Sequence, residues 1–191
     1  KEGCNEGDCG ACTVLVVRLE AGRLNWRAVN ACIQFVSMLD GAQAFTIEDL
    51  GTADAPHPVQ SAMVEQHGSQ CGFCTPGFVM SMAAYRKTEG ATADDQAIDD
   101  ALAGNLCRCT GYAPIVRAMK QAIVAGPDRF DAQVEAIADR LTALQDGESV
   151  RFEGPEGMLS IPASVDDLAE ILRADPEATI VAGATDVGLW V

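Results

Sequence analysis

Apolar and polar positions divide the chain into stretches of different texture. The first is strand-like. Thr13 to Leu19 (Thr-Val-Leu-Val-Val-Arg-Leu) is rich in β-branched residues and predicts a strand. Glu20-Ala21-Gly22-Arg23 predicts a turn, Asn25 to Ala31 the partner strand with Cys32 at its end, and Ala44 to Glu48 a further short strand. This stretch reads as the later part of a small β-rich domain whose earlier strands would precede Lys1. The next stretch has helical spacing. His57-Pro58 opens a pattern carried by Val59, Ala62, Met63 and Val64 and stopped by Gly68. Pro76 to Thr88 follows (Phe78, Val79, Met82, Tyr85), ending near Gly90. Asp94 to Ala103 carries acids in its first turn, as the helix dipole prefers, and Pro114 to Ala125 is ended by Gly126-Pro127. Four helices with short connections predict a bundle.

Phe130 to Leu144 is amphipathic but mostly polar and alanine-rich, and reads as a connector. The texture changes again from Val150. Ser164 caps a helix expected to run to about Ala174, and Ala178 to Ala182 predicts a strand leading into Gly183-Ala184-Thr185-Asp186. A strand, a glycine turn and a capping Thr are what phosphate binding at a loop requires, and they equally describe an ordinary β-to-α turn.

Composition narrows the function classes. The 191 residues are 48% hydrophobic, enough for a buried core, and carry a net charge of −15. A chain this acidic repels phosphate backbones and anionic membranes, so no nucleic-acid or membrane partner is expected. No apolar run approaches the ~20 residues needed to span a bilayer, and no secretory leader is visible, which points to a cytoplasmic protein. With no initiator Met and an apolar end at Gly188-Leu189-Trp190-Val191, the chain reads as a piece of a longer polypeptide.

The chemistry lies in eight cysteines, which fall into two sets of four. Cys4, Cys9 and Cys12, with Cys32 further on, have the plant-type spacing for a 2Fe–2S cluster. Three thiolates must converge from one short loop. Gly3, Gly7 and Gly10 in that loop would allow positive φ and close approach to sulfur. Backbone N–H groups could then face the thiolates and offset their charge. Cys71 and Cys74 form the second set with Cys107 and Cys109. Thr75-Pro76 and Thr110 to Pro114 follow the two pairs, so each pair should precede a helix start where a Thr can cap and an anion is favoured. Three other readings compete. Disulfides are disfavoured in a long chain without a leader. Zinc suits Cys71-x2-Cys74 but not Cys107-x-Cys109. Scattered buried thiols would not lie in loops this rich in glycine. His57 and His67 read as surface or capping residues, and Met63, Met80 and Met82 as core.

Taken in order, Gly3 to Val14, Gly68 to Gly77 and Gly104 to Tyr112 resemble the iron–sulfur region of the xanthine dehydrogenase family of molybdenum hydroxylases. The resemblance covers the chain to about Ala125. It implies an α+β fold: a partial ferredoxin-like β-grasp domain (1–50, N-terminal strands missing), a four-helix bundle iron–sulfur domain (51–126), a linker (127–157) and the start of an α/β FAD-binding domain (158–191). It implies two 2Fe–2S clusters as cofactors. Substrate would be oxidised at a molybdopterin centre on a partner, with electrons passing to the bundle cluster, the ferredoxin cluster, FAD and NAD. Gln70 and Cys109 would lie beside the pterin. Thr179 to Gly188 resembles the first pyrophosphate-contacting loop of the family's FAD domain. The implied flavin contacts are Ile180, Val181, Ala182, Gly183, Ala184, Thr185, Asp186 and Val187, and Ala184 stands where the family often has Asn. A flavin segment fused to the iron–sulfur part fits the small subunit of a bacterial-type member, partnered with a molybdopterin-binding large subunit, in a heterotetramer. The competing readings are a double ferredoxin without a catalytic partner and a zinc module used for assembly.

Overall fold

The computed structural model describes residues 1–88, 91–155 and 157–190. Gly90 and Val191, named in the expectations above, lie outside the described residues.

Strand β1 (Thr13–Glu20) is central in a three-stranded antiparallel sheet, between β2 (Arg23–Asn30) and β3 (Ala42–Phe45). Its β-branched side chains are stiff and suit a pleated surface buried on one side. A two-residue hairpin joins β1 to β2, with Ala21 at φ 50° and Gly22 at φ 75°. Two positive-φ residues match the right-handed strand twist. The third strand lies two residues earlier than Ala44–Glu48, because Thr46 and Asp49 cap each other and turn Ile47–Asp49 into a 3-10 turn.

Helices α1 (Pro58–Glu65), α2 (Thr75–Arg86), α3 (Asp95–Leu102) and α4 (Ala113–Ile123) pack together. In α2, every residue from Gly77 to Ala84 is buried, so this helix is apolar all round and sits at the centre. One side faces the other helices and another faces β1. Leu15, Val17 and Phe45 of the sheet therefore share one core with Phe78, Met80, Ile98, Ile115 and Met119. Met63, Met80 and Met82 are buried in it, as expected.

The expected connector is more than a linker. After a 3-10 turn, α5 (Val134–Leu144) lies against the sheet, and Phe130, Ile137 and Leu141 are fully buried. The polar composition concealed three well-spaced apolar positions that suffice for a docked face. Phe130 packs on Phe45 (4.9 Å between ring centroids) and Trp26 (5.4 Å). Beyond it, β4 (Val150–Gly154) and β5 (Gly157–Ile161) form a hairpin absent from the sequence expectations, and α6 (Val165–Ala174) is capped by the Ser164 hydroxyl, which accepts from Asp167 N–H. The expected strand Ala178–Ala182 does not form. A strand needs a neighbour to pair with, and no described strand pairs with this segment.

Among the described residues, no helix is long and apolar enough to cross a membrane.

Candidate iron–sulfur site

All eight cysteines are free thiols, and they gather where the sequence places them. The first set is held by a loop wrapped around sulfur. Cys4 N–H donates to Cys9 Sγ and Cys9 N–H to Cys4 Sγ, both at 3.3 Å, and Asp8 N–H reaches Cys4 Sγ at 3.4 Å. Gly7 N–H donates to Cys32 Sγ at 3.3 Å, and Cys32 N–H to Cys12 Sγ at 3.4 Å. This needs left-handed backbone at Asn5 (φ 58°), Gly7 and Gly10. Gly3 serves differently from the expectation: its φ is ordinary, but a Cβ there would lie 2.7 Å from Cys9 Sγ. Asn30 at the end of β2 ties the loop down by donating to Gly7 O at 2.5 Å.

The second set is built by two turns. Cys74 is the residue immediately before α2. Thr75 does not cap that helix; its hydroxyl donates to Ser69 Oγ at 2.8 Å. Cys107 N–H donates to the Tyr112 hydroxyl at 3.0 Å, and Tyr112 N–H to Thr110 Oγ1 at 3.2 Å. With a lone pair of Thr110 Oγ1 so occupied, its own proton is free for Cys107 Sγ, 3.1 Å away. Thr110 therefore holds a thiol and a turn rather than capping α4. Tyr112, at φ 67°, carries backbone strain typical of a functional turn.

Within each set the thiols sort into pairs. Cys4 pairs with Cys9 and Cys12 with Cys32; Cys71 pairs with Cys109 and Cys74 with Cys107. Crowding splits their acidities. Backbone N–H donation, first from Cys9, brings the Cys4 thiol down to about 7. Burial, helped by Cys12, pushes Cys32 up to about 11. Burial, helped by Cys107, pushes Cys74 up to about 12. Cys71 is lowered by the Phe73 N–H, while Cys109 is raised because it donates to Cys71. Burial raises Cys107, but donors led by the Thr110 hydroxyl outweigh it and the net shift is downward. Four thiols this close do not all ionise without a cation to offset them. Among the described residues, no group of three or more His, Cys, Asp or Glu side chains suits a single metal ion. Four gathered thiols are the donor set that a 2Fe–2S cluster would need, since such a cluster takes four thiolates across its two irons.

The other expected residues are placed as follows. Cys71, Cys109 and Gln70 are exposed on the surface of the second set, with Phe73 and Leu106 each about half exposed beside them. His67 is exposed, whereas His57 caps α1 by accepting Val59 N–H and is buried. The stretch Ile180 to Val187 is irregular and leads into a three-residue 3-10 turn, not an α-helix. Ala184 is buried at φ 58°. The following Gly188 presses on the turn that carries Cys32, where a Cβ would lie 2.8 Å from Ile33 O.

Sequence reasoning assigned no role to Asn105, although it lies in the quoted stretch Gly104 to Tyr112; its amide donates to Gly10 O at 3.0 Å and so joins the two cysteine loops. Nor did it find Asp128, which is buried between His57 Nε2 (3.1 Å) and Lys87 Nζ (2.7 Å). An acid following Gly-Pro carries no local signal for such burial.

Residues 46–120 match the family model of the [2Fe-2S] binding domain. Xanthine dehydrogenase of Drosophila subobscura is 36% identical over all of this chain, which spans 17% of that protein. The chain carries an iron–sulfur domain of the xanthine dehydrogenase kind. The enzyme of that name from Blastobotrys adeninivorans is 47% identical over 62% of this chain and 8% of its own length. Among solved structures, the aldehyde oxidoreductase from Desulfovibrio gigas superimposes with a TM-score of 0.56 at 33% identity, covering 82% of this chain and 15% of that one. The chain thus spans less than a fifth of the curated relatives it matches. It carries an iron–sulfur, electron-transfer domain of the molybdenum hydroxylase kind, within a mixed α and β architecture that, among the described residues, has small sheets and six helices.

Proposed function

We propose that this chain is the iron–sulfur small subunit of a xanthine dehydrogenase, carrying electrons from a molybdopterin centre on a large partner subunit toward FAD and NAD as hypoxanthine and xanthine are hydroxylated. Cys71, Cys74, Cys107 and Cys109 would hold one 2Fe–2S cluster, and Cys4, Cys9, Cys12 and Cys32 the other. A 2Fe–2S cluster, when bound, accepts and returns one electron at a time, and flavin re-pairs electrons for hydride donation. The observation that carries this reading is the arrangement of eight free thiols as two separate fours, each with N–H or O–H groups aimed at sulfur.

The chain's own groups set direction. The exposed side at Gln70, Cys71 and Cys109 suits the partner's pterin, because it is the open side of the second set. At the other end, the close approach of Gly188 to Ile33 supports a flavin segment, Ile180 to Val187, leading up to the Cys32 turn. In that region the domains would be a β-grasp domain (1–50), a bundle (51–126), a linker (127–157) and the start of a flavin domain (158–191). The assembly would be a cytoplasmic heterotetramer. A second reading, a related hydroxylase acting on aldehydes, carbon monoxide or N-heterocycles, draws on the likeness to the Desulfovibrio gigas aldehyde oxidoreductase.

The test is anaerobic mixing of the co-purified complex with xanthine and, separately, with an aldehyde. Bleaching of iron–sulfur absorbance by xanthine, followed by NAD reduction, is the expected result. Bleaching by the aldehyde alone would favour the second reading, and a chain that purifies without a large partner would contradict both.

A further inference from the structure

The two cysteine sets meet at one seam. The Cys9 carbonyl accepts the N–H of Leu106 at 2.9 Å, and Leu106 immediately precedes Cys107. One hydrogen bond and one intervening residue thus separate a cysteine of the first set from a cysteine of the second. This is a direct polar crossing between two loops that are nearly a hundred residues apart in sequence.

Asn105 holds the seam closed. It is 4% exposed, and both of its side-chain polar atoms are hydrogen-bonded. Nδ2 donates to Gly10 O at 3.0 Å and to Thr13 Oγ1 at 3.2 Å, while Oδ1 accepts from the Ser81 hydroxyl at 2.6 Å. The Thr13 hydroxyl in turn donates to Gly10 O at 2.6 Å. Gly10 O can only accept, so Nδ2 must face it; this fixes the amide's orientation without appeal to a flip. Thr13 and Ser81 are buried too. One amide therefore ties the first cysteine loop, the central helix α2 and the loop before Cys107. The backbones approach as closely as glycine allows: a Cβ on Gly10 would strike Gly104 O, and a Cβ on Gly77 would strike Gly10 O. A satisfied buried network of this kind has one arrangement rather than several.

We propose that Asn105 is a positioning residue for electron transfer between the two cysteine sets, and that the Cys9 carbonyl to Leu106 amide hydrogen bond is the bridge whose length it fixes. The inference rests on the reading that each set holds a 2Fe–2S cluster. The step moves a single electron and makes or breaks no bond: iron on the donor side is oxidised by one electron as iron on the acceptor side is reduced by one. Asn105 touches neither sulfur set; it sets the register of residues 9–13 against 104–107.

The test compares the full chain with its Asn105→Leu variant, which keeps bulk and loses all three hydrogen bonds. Both are purified anaerobically, assayed for iron, reduced fully with dithionite and examined by low-temperature EPR for magnetic splitting between the two reduced centres. Internal electron equilibration after a substoichiometric pulse of reductant is followed as well. The variant should retain its iron and both signals, lose or narrow the splitting, and equilibrate more slowly by on the order of tenfold, short of the hundredfold that a misplacement of about 1 Å costs a reacting pair. Full iron with unchanged splitting and rate overturns the role of Asn105. If Asn105→Leu fails to keep its iron, Ser81→Ala decides: it leaves the amide in place but unsteers it, so a narrowed splitting supports the proposal and an unchanged one overturns it. A wild-type chain lacking two reduced centres overturns the underlying cluster reading instead, so the two failures are told apart.

Discussion

Replacing Asp128 by Asn should loosen the segment that follows the helices. The Asp128 side chain is fully buried, with Lys87 Nζ 2.7 Å from Oδ1 and His57 Nε2 3.1 Å from Oδ2. His57 Nε2 and Asp128 Oδ2 sit at ion-pair distance without a hydrogen bond between them. Arg86 Nε lies 4.0 Å away, and its side chain is 9% exposed. Asn would keep the shape and remove the charge, leaving two buried cations under-compensated. Removing one partner of a buried pair costs about 3–5 kcal/mol. Lys87 keeps Asp131 at 2.7 Å, so the lower end, about 3 kcal/mol, is expected. That is roughly a hundredfold in the folded-to-unfolded ratio. Burial raises the Asp128 pKa, but His57 and Lys87 more than reverse this and hold the carboxyl well below its ordinary 3.8. A depressed folded pKa contributes stability that is fully present above the unfolded value and lost as pH falls through the folded one. The gap between wild type and Asp128→Asn should therefore be full at neutral pH and close as pH drops below 3.8. Urea unfolding followed by the fluorescence of Trp26, which packs on Phe130 beside His57, measures it; Trp190 is 72% exposed and reports little. A loss under about 1 kcal/mol, the level of a surface pair, or a gap that widens with acid would refute the reasoning.

Three further outcomes are expected. Gly77→Ala places a methyl group on Gly10 O, so the first cysteine loop must move and purified protein should contain less iron per chain than wild type. Thr110→Val removes the hydroxyl 3.1 Å from Cys107 Sγ; at about 1 kcal/mol for the bond and ~59 mV per 1.4 kcal/mol for one electron, the second centre's potential should fall by roughly 40 mV in an EPR redox titration. Ala21→Asn puts a residue tolerant of left-handed backbone at φ 50° and should raise the unfolding midpoint by the equivalent of about 0.5–1 kcal/mol.

Much of this molecule was legible because its signals are local. Pro at the starts of α1, α2 and α4, the capping Asp94 before α3, glycine near the ends and β-branched runs placed β1, β2 and α1 to α4 within a few residues. The cysteine spacing led directly to two gathered sets of thiols. Where reading failed, the cause was non-local. Nothing in the polar texture of 130–144 reveals that Phe130, Ile137 and Leu141 meet a sheet that lies far earlier in the chain. Strand character at Ala178–Ala182 came from side-chain type, but a strand exists only with a partner edge. The roles of Thr75 and Thr110 were misjudged because a hydroxyl near a helix start has several acceptors, and here Ser69 and Cys107 win over the helix N–H groups. Asn105 was visible in sequence yet silent, since its meaning lies in Gly10 and Ser81 converging on it from elsewhere.

Iron and acid-labile sulfide analysis of anaerobically purified chain, paired with EPR after reduction, tests the account most directly. Two sets of four thiolates predict about four irons per chain and two distinguishable reduced 2Fe–2S signals. Zinc in place of iron, disulfide-linked cysteines, or a single signal with half that iron would contradict it.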